Sequence, residues 1–337
     1  MAYRLLTGRF VLRYAESPGS GPTPDGDTLK FRPDAPALVE ELGLASGVEP
    51  ALSAQQRISL RLEAVDALEL HFEGSRQEAT LARAARDGLL AHLGFRDVVW
   101  DRARPAQAAA ADADEMPGWV LADGVEQNGR LVAFAFPGRP PLADGSPVAV
   151  DETVFRASAN LRMLAEGLVY PMLYTSLAGE LRNLCREVAG AARAARRGVW
   201  ARATADPDSA ADLARGAAAL PDLVMWPKLY RRLARYFAAG HGDPGGFRRW
   251  LAAGPADRDD AVLVLDTGRR TRLHEIVAVE GDRVRLSLWP DAFAVLPVRA
   301  GRRAQVPAAP PDVAGRAGHG GDSRIDDSPC HGLGDPS

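Results

Sequence analysis

Five side chains in three separate pieces of the chain have the types and spacing that phosphate chemistry needs at one point. The first piece is Asp25-Gly26-Asp27-Thr28, which carries Asp27. The second runs from Ile58 to Glu69 and carries Arg61, Asp66 and Glu69, and the third is Asn128-Gly129-Arg130. Asp27 and Asp66 are hard oxygen ligands suited to Ca²⁺ or a similar cation. Arg61 and Arg130 are planar, permanently charged forks that match a phosphate and the added negative charge of its transition state. Glu69 is left as a carboxylate that can activate water. Singly, each piece is ordinary. Asp-Gly is turn chemistry, and Asp123-Gly124 and Asp144-Gly145 repeat it in this chain. Arg61 stands out, because a charge in mid-strand needs an anionic partner.

Strands and helices must bring these pieces together. A first strand is expected over Gly8 to Tyr14, with Phe10, Leu12 and Tyr14 on one face, and a second over Thr28 to Phe31. Within a third, Gln56 to Val65, Ile58, Leu60 and Leu62 alternate with Ser59, Arg61 and Glu63, so Arg61 falls on the polar face. Trp119 to Ala122 and Leu131 to Phe136 read as a strand pair joined by the turn that carries Asn128-Gly129. Helical patterns cover Gln77 to Leu93, Phe155 to Gly167 and Leu177 to Arg197, and a short one covers Ala37 to Leu44 within an insertion. These elements alone give an α+β fold with a curved antiparallel sheet.

The order of the motifs adds a resemblance. Asp-Gly-Asp-Thr, then Arg61-Leu-Glu-Ala-Val-Asp66-Ala-Leu-Glu69, then Asn-Gly-Arg130 leading into Leu-Val-Ala-Phe-Ala-Phe, resembles the staphylococcal-nuclease (thermonuclease) family over roughly residues 5–204. The resemblance implies a five-stranded β-barrel of the oligonucleotide-binding type with about three helices. It implies Ca²⁺ held by Asp27, Asp66 and the Ala67 carbonyl, with Asp25 in support, and catalysis by Arg61, Glu69 and Arg130. It also implies hydrolysis of single-stranded DNA or RNA to products ending in 3′-phosphate. The chain departs from the family's Asp-Thr-Pro-Glu by reading Asp66-Ala67-Leu68-Glu69. Without the Pro, which fixes φ, Glu69 is aimed less rigidly. Tyr170 and Tyr174 stand roughly where the family stacks aromatics on a base, and they fit a core role equally well.

The chain has 337 residues, 46% of them hydrophobic and 25% charged, which suits a globular protein with room for two domains. No apolar run is long enough to cross a bilayer and the first residues lack a secretory signature, so the cytoplasm is the expected compartment. Cys185 and Cys330 make a disulfide framework an unattractive reading. Only Lys30 and Lys228 are Lys among 41 basic residues, a bias in keeping with a chain rich in Ala, Gly and Arg. The net charge of -3 means that any field attracting a polyanion must be local.

Past residue 204 the expectation is a linker over 205–219, a smaller α+β module over 220–300 and a disordered tail over 301–337. A helix over Trp226 to Ala239 has an apolar stripe of Trp226, Tyr230, Leu233 and Phe237. Lys228, Arg231, Arg232 and Arg235 form a basic ridge that reads either as a solvated face or as a nucleic-acid contact. The chain thus reads as a Ca²⁺-dependent nuclease preferring single strands. The alternative is a nucleic-acid- or protein-binding module that keeps the barrel and has lost cleavage.

Overall fold

In the computed structural model, which describes residues 2–17, 20–256 and 258–297, five strands close into a mixed barrel. They are Tyr3–Val11, Thr28–Pro33, Ile58–Leu62, Glu115–Val125 and Leu131–Pro137. The first strand pairs with both the second and the fourth, and the third runs parallel to the fifth, which closes the sheet and leaves no free edge around the barrel. This order is compatible with the oligonucleotide-binding type. The alternation read from sequence carries through: Ile58, Leu60 and Leu62 are buried inside, while Ser59 and Arg61 are half-buried on the other face.

Two local features place the site. The register that sets Thr28 opposite Arg61 puts Asp27 beside that arginine. After Leu62 the chain turns through Ala64, whose φ of 68° is unusual for a residue with a Cβ. It then forms the short strand Val65–Asp66, which pairs with Tyr170–Pro171.

The barrel region holds five described α-helices where about three were expected: Pro36–Ser46, Ala79–His92, Glu152–Ala157, Ala159–Ala165 and Gly179–Ala194. The single helix expected over Phe155 to Gly167 is two, because Ser158 adopts extended backbone and its hydroxyl caps the second by accepting from the Leu161 N–H at 3.2 Å.

The stretch expected as a linker is structured. Ala211–Asp212 is a strand paired with Arg283–Leu286, and Ala205, Ala211, Leu213 and Ala219 are buried. The described residues of 205–297 belong to the same compact unit as the barrel and pack on it. Trp226 donates from Nε1 to the Pro171 carbonyl (3.2 Å), and Tyr170 donates to the Val224 carbonyl (3.3 Å). Leu273–Ile276 is a short helix leading into the strand Val277–Glu280. The tail expected to be disordered, with Cys330, lies outside the described residues. Cys185 is a buried free thiol in Gly179–Ala194. Among the described residues no helix is long and apolar enough to cross a membrane.

Candidate active site

Four of the five side chains singled out from sequence meet at the end of the third strand. Asp27 accepts from the Thr28 hydroxyl and from the Ala67 N–H, each at 2.9 Å, and is ion-paired with Arg61. The other end of the Arg61 fork donates to Asp66 Oδ1 at 2.6 Å. Asp66 is wholly buried, whereas Arg61 keeps a solvent-facing edge. Glu69 follows one short turn later. Gln77, itself fully buried, aligns it by donating from N–H to the Glu69 carbonyl (2.9 Å) and accepting the Glu69 N–H at its side-chain oxygen (3.1 Å).

Arg130 does not join them. Its Nε donates to Glu126 Oε1 at 3.0 Å across the Glu126–Arg130 turn, and its own N–H reaches the same oxygen at 3.3 Å. The partner missing from the sequence reading is Arg231, from the helix Pro227–Ala238. Its guanidinium donates to Asp66 Oδ2 (3.0 Å) and Oδ1 (3.2 Å), and pairs with Glu69 as well. Nothing in the sequence marked it, because Arg61, Arg130 and a cation already matched the three carboxylates in that reading.

The cations of the expected basic ridge each have carboxylate partners. Lys228 and Arg232 turn to Asp260, the former at 3.1 Å, and Arg235 lies over the Phe72 ring and binds Glu73. The four cations pair with carboxylates of two stretches, residues 66–73 and Asp260; Lys228, Arg231 and Arg232 are largely enclosed by these pairs, and Arg235 stays exposed. The apolar stripe is as expected, with Trp226, Tyr230, Leu233 and Phe237 all buried. Tyr170 takes the core role: it is buried, edge-on to Trp200. Tyr174 lies under the Lys228 ammonium, 5.6 Å from the ring centre. His71 lines a neighbouring cavity of about 660 Å³ between residues 70–76 and the Pro227–Ala238 helix.

The electrostatics follow from burial set against charge. Burial works to raise the Asp66 carboxyl, but the guanidiniums of Arg231 and Arg61 outweigh it and bring it down to about 2. In Glu69 burial wins over Arg231, helped by the charges of Asp66 and Asp27, and lifts the carboxyl to about 7. Asp25 is pushed well up by burial, then by Asp27 and Glu69.

Nearby, burial and then the Asp123 charge raise Glu63 to about 8. A raised acid favours folding while it stays protonated, so its contribution is complete below about 4.5 and is lost as pH rises through about 8. Glu63→Gln is therefore expected to flatten the loss of stability between those two values, as read from urea midpoints across pH. An unchanged pH profile would remove Glu63 as its source.

The calcium expected from the resemblance can be tested against these donors. A Ca²⁺ ion takes six to eight oxygens at about 2.3–2.6 Å. Both oxygens of Asp66 are already committed to guanidinium groups, and Ala67 meets the site through its N–H on Asp27. Among the described residues no three acidic, His or Cys side chains form a group able to hold a metal ion. As placed, the donors do not fit calcium. No protein-family model matches the chain, and no curated protein matches it.

Proposed function

We propose that the chain binds and hydrolyses phosphodiesters of single-stranded nucleic acid at the Asp27–Arg61–Asp66–Glu69 cluster. The observation that carries this reading is the convergence of two guanidiniums, from Arg61 and Arg231 whose side chains are 17% and 21% exposed, on one buried carboxylate, with Glu69 beside them. Each fork spends part of its five N–H donors on carboxylates and keeps others for a phosphate. Held rigid by Asp27 and Asp66, Arg61 is preorganised to stabilise the five-coordinate phosphorus. Glu69 takes the proton of the attacking water, and Asp27 and Asp66 orient the forks without touching substrate.

A second reading has one observation in its favour. Every carboxylate of the cluster is satisfied internally, as in a binding module whose catalytic groups have become structural.

The deciding experiment incubates purified full-length protein with end-labelled single-stranded DNA. Cleavage is expected, and Arg61→Ala should slow it by about 10²-fold, the usual cost of losing one preorganised donor. Arg130→Ala should cost less, because that side chain is occupied by Glu126. DNA binding without cleavage would select the second reading, and neither binding nor cleavage would remove both. Equal losses in the two variants would return Arg130 to the site.

A further inference from the structure

Once Glu69 is ionised, Asp27, Asp66 and Glu69 bring three negative charges to one partly buried place, and Arg61 returns one positive charge. Uncompensated, two extra charges out of water would be costly, and in an all-oxygen cluster a divalent cation is the usual remedy. Here the remedy is built into the chain. Arg231 bridges Asp66 and Glu69, the same two groups that an ion would have to bridge.

The position of Arg231 does not depend on that attraction alone. Its helix is docked by neutral contacts: Gln77 Nε2 donates to the Met225 carbonyl at 2.9 Å, Trp226 to the Pro171 carbonyl at 3.2 Å, and Tyr230 to the Arg76 carbonyl at 2.6 Å. Tyr230 and Leu233 are fully buried, so the backbone on both sides of Arg231 is fixed. A calcium ion entering from solution would have to displace a tethered charge whose docking has already been met by apolar burial. It would then share the cluster with a guanidinium whose ion-pair partners among the described residues are Asp66 and Glu69 themselves.

We infer that Arg231 is the resident cation of this site, a tethered guanidinium that compensates Asp66 and Glu69 and excludes calcium while the Pro227–Ala238 helix is docked. The segment 205–297 is thereby a working part of the barrel site. This inference concerns charge and is decided by calcium affinity, so its failure is distinguishable from failure of the nuclease reading.

The test is calorimetric titration of the full-length chain with CaCl₂ alone, without nucleic acid. Wild-type protein is expected to show no calcium binding that depends on Asp66. Arg231→Met keeps the length and apolar stem and removes the charge, and it should bind calcium at least about tenfold more tightly than wild type. Adding Asp66→Asn should abolish the gain. Arg231→Gln, which keeps hydrogen-bonding capacity, provides the same comparison should the Met variant fail to fold. Wild-type calcium binding that Asp66→Asn removes would overturn the inference whatever the variants do. A folded Arg231→Met protein with no gained affinity would overturn it as well.

Discussion

Replacing Asp66 by Ala is expected to destabilise the fold by about 3–5 kcal/mol, the cost of breaking a buried ion pair by removing one partner. Asp66 has no solvent exposure and holds two guanidiniums at once, so its loss strands both Arg61 and Arg231. It should also loosen the seam between barrel and C-terminal segment, because Arg231 belongs to the latter. Urea unfolding should show a lower midpoint with little change in slope. The pH sign follows from the depressed carboxyl. The contribution of Asp66 is present above its ordinary value of 3.8 and is lost as pH falls through about 2. A loss under about 1 kcal/mol, the range of an exposed pair, would mean that water reaches these charges freely.

Glu69→Gln should cut kcat on single-stranded DNA by about 10²–10⁴-fold, the range that general acid–base catalysis supplies. Gln is nearly isosteric and keeps an oxygen for Arg231, so the fold and its melting temperature should change little. Substrate affinity should hold or tighten, because a negative charge near the incoming phosphate is removed. This split between kcat and affinity separates a base from a residue that only props up the site. A base must be ionised to act, so wild-type kcat should rise with pH up to about 7 and level off. The residual rate of Glu69→Gln should lack that rise. A variant with the wild-type rate would end the assignment of Glu69.

The strands of the barrel and most of its site were legible because they are written locally, while barrel closure was implied only by the resemblance. Period-two alternation in Ile58 to Leu62 predicts which face of the strand Arg61 occupies, and the Asn128-Gly129 turn marks the hairpin. Spacing within one segment then carries Arg61, Asp66 and Glu69 to one strand end, and the antiparallel register delivers Asp27. The break at Ser158 was missed because one residue's ψ ends a helix without disturbing the apolar period.

Charge was legible only as type, not as partner. The helical spacing of Lys228, Arg231, Arg232 and Arg235 describes a ridge, but a ridge faces solvent only if nothing packs on it. Three-dimensional packing brings Asp66, Glu69, Glu73 and Asp260 against that helix from distant parts of the chain, and each cation turns to the nearest carboxylate. Periodicity and short spacing by themselves determined the strands, the face of Arg61 and the nearness of Asp66 and Glu69 to it, whereas barrel closure was implied by the resemblance and not by periodicity. Only the tertiary structure decided that Arg130 stays with Glu126 while Arg231 fills the site. Ion pairing depends on distance in space, and residues 66 and 231, far apart in the chain, are brought together by the burial of Trp226, Tyr230 and Leu233 on the helix that carries Arg231.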